Sequence, residues 1–306
     1  MRSVVLGSAS AIVLLAASAA SAQGSGAYPA IHETDPGLPD HVIFRPRDLS
    51  AFGPANRLPV VAWSNGGCVK GGTYVSFLED VASHGYLVVA AGTVAPPRAD
   101  PVRAPPAAAA RRLTLTERFN RIAPPQTTTF QMLEGAYWLT AEGRRKGGRF
   151  EGKVAPDKLA VMGHSCGGMQ ALEASLDPRV TTTVVLASGY WRQGGYLKGI
   201  KLNRQTLQQL HAPTIYLTGG DGDIAHPNAE GDFLEINHVP IFKAFQPPAP
   251  HGLTLREPNG GAYGKVVVNW LDWQLRKDST AARLFTGAEC GLCRDPAWDV
   301  ERKKID

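Results

Sequence analysis

KLAVMGHSCGG occupies residues 158–168. Its opening run, Lys158 to Met162, is short and mostly apolar, as a strand covered on both faces should be. Gly163 to Gly168 is too glycine-rich to continue that strand and reads as a tight turn. Met169 to Leu176 then takes up a helical pattern. A strand that passes straight into a helix around a serine has the G-x-S-x-G form. Glycines flank Ser165 because side chains there would meet the neighbouring strand and helix. The turn presents the serine oxygen at the carboxyl edge of a sheet and at a helix N-terminus. The pattern alone is common by chance; its strand-to-helix context gives it meaning.

Outward from this turn the same alternation recurs. Residues 41–45 (HVIFR), 58–63 (LPVVAW) and 87–91 (LVVAA) read as strands, as do 182–187, 214–218 and 241–245. Helical spacing places a helix on Val75, Leu78, Val81 and Ala82 with Gly85 as its stop. Further helices are expected over residues 128–142 and 263–276. Strands alternating with helices predict an α/β fold, a mostly parallel central sheet flanked by helices. The Pro- and Ala-rich residues 95–125 interrupt the pattern and predict an irregular excursion, with a short helix near 113–122.

The 306 residues are 43% apolar and 19% charged, a globular composition that excludes a disordered or low-complexity chain. Net charge is +5, and the basic clusters Arg111-Arg112, Arg144-Arg145-Lys146 and Arg302-Lys303-Lys304 are short. None has aromatic residues interleaved, so they read as solvated surface and predict no nucleic-acid partner. Residues 1–22 pair a basic Arg2 with an apolar stretch from Val4 to Ala17 and end in Ala20-Ser21-Ala22. That is the form of a secretory signal peptide cut before Gln23, which predicts a secreted or periplasmic protein. Residues 23–306 then form a single domain with no membrane span, and cysteines in such a compartment are free to pair.

A serine hydroxyl is a weak nucleophile near neutral pH and needs a base. In a fold of this kind the order along the chain is serine, acid, histidine. Two acids follow the strand 214–218, in GGDGDIAHP. Asp221 lies between glycines, like a turn residue; Asp223 precedes Ile224 and Ala225, which are expected to anchor the loop and aim the carboxylate inward. Asp223 is the favoured acid. His226 and His238 are alternatives for the base, but His251 lies on the loop between the last of these strands and the last helix and is preferred. A metal site on Asp221, Asp223 and His226 would leave the serine turn unexplained. Two backbone N–H groups are needed to hold an oxyanion. Cys166, next to the serine, is one candidate, and Gly67, with its neighbours Gly66 and Cys68, the other.

With these residues the chain resembles the α/β-hydrolase superfamily, in its dienelactone-hydrolase-like, chlorophyllase-like and polyester-hydrolase-like branch. The stretches that carry the likeness are LPVVAWSNGGC (58–68), FLEDVASHGYLVVAAG (77–92), KLAVMGHSCGGMQALEASLDPRV (158–180), TGGDGDIAHPN (218–228) and HGLTLREPNGGAYGKVVVNWLDWQL (251–275). The resemblance implies an α/β-hydrolase fold and a serine esterase without cofactor or metal. It implies Ser165 as nucleophile, Asp223 as acid and His251 as base, acting on a small-molecule or polymeric ester (polyester, lipid-like or plant-wall acyl). The alternatives are a peptidase or amidase with the same three residues, or a catalytically silent binding module on this fold. Dienelactone hydrolases carry a cysteine where this chain has Ser165. In such a fold Cys68 and Cys166 fall beside the oxyanion hole, where a disulfide between them would preorganise its donors. Cys290 and Cys293 have the spacing of a local disulfide. Tyr190 and Trp191 follow the strand 182–187, and Trp63 ends the strand before the oxyanion loop; all three are candidates for binding substrate at the carboxyl edge.

Overall fold

The computed structural model describes residues 24–71, 73–93, 124–192 and 199–306. The expected signal peptide, the helix near 113–122 and most of the excursion over 95–125 lie outside the described residues. The sheet has nine strands: β1 Ala30–Asp35, β2 Leu38–Pro46, β3 Leu58–Ser64, β4 Leu87–Ala91, β5 Val154–His164, β6 Val180–Leu186, β7 Thr214–Thr218, β8 Ile241–Phe245 and β9 Asp299–Lys303. Their order across the sheet is β1-β2-β4-β3-β5-β6-β7-β8-β9. From β4 through β3, β5, β6 and β7 to β8 neighbours are parallel, and the antiparallel strands β1, β2 and β9 close the two edges. This is an α/β architecture with a mostly parallel central sheet, as expected.

The apolar runs read as strands are buried on both faces, which a parallel sheet between two helical layers requires. In β3, Val61 and Trp63 enter one core while Leu58, Val60 and Ala62 enter the other. The helices Val75–Ser83 (α1) and Gly261–Arg276 cover the first face, the latter through Val267, Trp270 and Leu271. Trp270 and Trp273 pack with Phe285, as structural tryptophans. The helix Thr129–Glu142 (α2) covers the second face through Met132, Ala136 and Leu139, and starts at a capping box in which Thr128 accepts from the Gln131 amide. The helix after the serine, Cys166–Ala174 (α3), lies beside it.

Three departures from the sequence reading have physical causes. Strands β1 and β9 are edge strands with charged, partly exposed residues, so they lack the apolar run that marks a central strand. The helix His226–Glu235 departs from expectation because its buried residues are Asn228, Ala229, Asp232 and Phe233, two of them polar, so it lacks the apolar stripe that marks a helix in sequence. The cluster Arg302-Lys303-Lys304 is not simply solvated surface. Arg302 donates to the carbonyls of Phe285 and Gly287, and Lys303 to Phe233 O and Asn237 Oδ1.

Candidate active site

Four loops leave the carboxyl ends of β3, β5, β7 and β8 and meet over the sheet, where ligands bind in open parallel sheets. The loop after β5 is the turn at Ser165. Its backbone has φ 54° and ψ −122°, outside the regions open to residues with a Cβ. Such a conformation costs on the order of 1–3 kcal/mol and persists only where its surroundings over-determine it. Here Ser165 N–H donates to Leu186 O at 2.9 Å, and Ser188 Oγ donates to Ser165 O at 2.6 Å. The flanking glycines are steric necessities. A Cβ on Gly163 would lie 2.1 Å from Gly167 O, and one on Gly167 would lie 2.1 Å from Ser64 O.

The structure brings Ser165, His251 and Asp223 into one hydrogen-bonded row. His251 Nε2 is 2.8 Å from Ser165 Oγ, and His251 Nδ1 is 2.6 Å from Asp223 Oδ1. A carboxylate only accepts, so Nδ1 carries the ring proton of neutral His251 and Nε2 is left to accept from the serine hydroxyl. The Asp223 side chain is 0% exposed, whereas that of His251 is 31% exposed. Burial pushes the Asp223 carboxyl up. The His251 hydrogen bond, the Ala225 and Gly219 amides and the nearby imidazole outweigh this and hold it below the usual carboxylate value.

Asp221 is exposed in the tight turn Gly220–Gly222 and is not part of this row. The anchoring of the acid loop differs from expectation. Ile224 is exposed, and only Ala225 turns inward. Main-chain amides, not an apolar pair, aim Asp223. The alternative bases have other partners: His226 Nδ1 lies 2.8 Å from Thr218 Oγ1, and His238 Nε2 donates to Leu210 O. Among the described residues no three His, Cys, Asp or Glu side chains gather as a metal site.

The loop after β3 forms a tight turn, Gly66–Cys68, with Gly67 at φ 66°. Cys68 N–H is engaged with Asn65 O at 3.0 Å, which removes it from the candidate oxyanion donors. Cys166 is the first residue of α3, where an N–H has no partner within the helix. Cys68 and Cys166 form a disulfide across a sequence separation of 98, so the two candidate donor segments are covalently joined. Cys290 and Cys293 form the second disulfide.

Trp63 is placed away from the position expected of a substrate-binding residue. It is 1% exposed, packs edge-on against Tyr74 and Phe77, and donates its indole N–H to Asn65 Oδ1 at 2.7 Å. Its ring belongs to the core and sets the Asn65 amide, whose Nδ2 in turn donates to Val69 O and Gly71 O across the loop after β3. Tyr190 and Trp191 are half-buried on the loop after β6. Asp232 fixes that loop by accepting from Tyr190 N–H and from Arg192. Sequence reasoning missed Asn65, Tyr74 and Ser188. Only Asn65, a turn-forming type beside Gly66-Gly67, carried a local signal. No family model matches the chain, and no curated protein matches it.

Proposed function

We propose that this chain is an exported serine hydrolase of the α/β-hydrolase superfamily that cleaves carboxylic esters through an acyl-enzyme. The observation that carries this reading is the row from Asp223 through His251 to a serine held at a strained turn. The strand order, with the row built from the loops after β5, β7 and β8, supports the superfamily. The two disulfides support an oxidising compartment. No helix among the described residues is long and apolar enough to cross a membrane.

In this mechanism Ser165 Oγ attacks the ester carbonyl carbon while His251 Nε2 takes its proton. The carbonyl electron pair moves onto oxygen, and Cys166 N–H with Gly67 N–H receive that charge; each such donor contributes about 3 kcal/mol. The intermediate collapses, the bond to the alkoxy oxygen breaks, and His251 returns the proton to the departing alcohol. Water then attacks the acyl-enzyme with His251 again as base, releasing the acid and restoring Ser165. Asp223 keeps the imidazole in the required tautomer and stabilises its cation.

The test is labelling with a fluorophosphonate, the adduct mapped by mass spectrometry, together with turnover of a short p-nitrophenyl ester. Wild type is expected to label on Ser165 and to hydrolyse the ester, and Ser165→Ala to do neither while remaining folded. A fully active Ser165→Ala variant, or a wild type that neither labels nor turns over, refutes the reading.

A further inference from the structure

His164, the last residue of β5, is a buried histidine outside the catalytic row. Its Nε2 lies 2.7 Å from the main-chain oxygen of His251 and its Nδ1 lies 3.0 Å from Tyr74 Oη. A carbonyl oxygen only accepts, so Nε2 carries the proton; Nδ1 then accepts from the Tyr74 hydroxyl, whose pKa burial raises. Both ring nitrogens are thereby committed, and burial pushes the imidazole down to about 4, so it stays neutral near pH 7. Neither nitrogen is available to exchange protons with a substrate. The ring also touches the oxyanion loop: a Cβ on Gly66 would lie 2.6 Å from His164 Nδ1.

We propose that His164 is a positioning residue for His251, acting on the base through its main chain. This rests on the serine-hydrolase reading above. Asp223 fixes the direction of the His251 ring, but the ring's height over Ser165 follows the backbone of a loop that is otherwise a series of turns. The His164 N–H is a side-chain tether from the serine strand to that loop, at the residue that bears the base. Because His164 directly precedes Ser165, nucleophile and base share one reference point. Tyr74, at the start of α1, holds the tether's far nitrogen and so selects its tautomer.

Glutamine and asparagine separate the two bonds. The Gln amide reaches as far as Nε2 and can still donate to His251 O, while the Asn amide reaches only as far as Nδ1 and faces Tyr74. Turnover of a p-nitrophenyl ester is measured for His164→Gln, His164→Asn and His164→Leu, each with its thermal midpoint. His164→Gln is expected to keep kcat within about fivefold of wild type. His164→Asn and His164→Leu are expected to lose about tenfold to a hundredfold in kcat with KM within about twofold, the scale of a misplaced catalytic group. If the leucine variant does not fold, the Gln and Asn pair decides. His164→Asn as active as His164→Gln, or His164→Gln as impaired as His164→Leu, overturns the proposal. Fluorophosphonate labelling of wild type and its loss in Ser165→Ala report on the hydrolase reading separately.

Discussion

Replacing Asp223 by asparagine changes almost no volume, yet the site has no satisfactory place for the amide. Asp223 Oδ1 accepts from His251 Nδ1 at 2.6 Å and from Ala225 N–H at 2.9 Å, and Oδ2 accepts from Gly219 N–H at 3.1 Å. If the Asn oxygen takes the first position, its NH2 confronts the Gly219 N–H, donor against donor. If the amide flips, the NH2 faces Ala225 N–H and His251 Nδ1. The imidazole must then accept at Nδ1 and carry its proton on Nε2, where it can no longer accept from Ser165 Oγ. Either orientation loses the working tautomer or leaves a buried donor unpaired. A tautomer error of this kind lowers kcat about 10⁴-fold, or about 5.4 kcal/mol of transition-state stabilisation. Asp221→Asn is the matched control: its side chain is exposed and kcat is expected to stay within about twofold. The assay is steady-state hydrolysis of a p-nitrophenyl ester, with circular dichroism to establish folding. An Asp223→Asn variant that is folded and keeps more than a tenth of wild-type kcat refutes the assignment, as does an equal loss in Asp221→Asn.

Other expectations follow from the same geometry. The Cys68–Cys166 bridge spans a sequence separation of 98 and Cys290–Cys293 one of 3; chain entropy assigns them about 4.7 and about 1.6 kcal/mol. Urea unfolding of Cys68→Ala/Cys166→Ala is therefore expected to show a larger loss of stability than Cys290→Ala/Cys293→Ala, and a reversed order contradicts the chain-entropy argument. Gly167→Ala drives a Cβ into Ser64 O and is expected to destabilise by about 3 kcal/mol or more, whereas Gly53→Ala meets nothing within 4 Å and should stay within about 0.5 kcal/mol. His164 takes up a proton near 6.5 when unfolded but only near 4 when folded. Between those values the unfolded state binds more protons, so stability is complete above 6.5 and falls as pH drops toward 4. From pH 7 to pH 4.5 wild type is expected to lose about 2–3 kcal/mol more than His164→Gln; equal losses rule this out.

The parts of the fold that were legible in the sequence are those whose environment leaves a local mark. A strand buried on both faces has to be apolar throughout, so β3, β4 and the end of β5 announce themselves. The turn at Ser165 was legible because its glycines answer to backbone atoms only about 2 Å from where a Cβ would sit. The sequence distinguishes Asp223 from Asp221 only in part: Ile224 is exposed, and the buried anchor is a pair of main-chain amides. Main-chain donors leave no trace in residue type. Trp63 departs from expectation for a related reason: near the end of a strand an aromatic can face the ligand edge or the core, and the alternation that sends it to the core is shared with Val61. The contacts of Tyr74 and Asp232 are long-range, and one sequence holds no signal for them.

On the proposed hydrolase reading, the supporting residues bear on how Ser165, its base and its oxyanion donors would be held. A row of hydrogen-bonded side chains can form wherever three loops meet; catalysis asks in addition that the oxyanion donors and the base stay fixed while charge develops between them. Here each loop is cross-linked to its neighbour by something other than the reacting groups. The disulfide joins the oxyanion loop to the helix that begins with Cys166. Asn65, itself held by Trp63, spans the oxyanion loop from inside, and the Cys68 carbonyl accepts from the Gln126 and Thr127 amides. Tyr263 donates to Thr218 O and accepts from Gln246 N–H, tying the end of β7 to the end of β8, from which the acid and base loops depart. His164 ties the base to the serine strand. The strained backbone of Ser165 thus lies between a disulfide at Cys166 and a hydrogen bond from the buried His164, and its own N–H and C=O are bonded to Leu186 and Ser188. Loosening any one link is then expected to lower kcat before it lowers the affinity for substrate, because each link fixes a group that acts on the transition state.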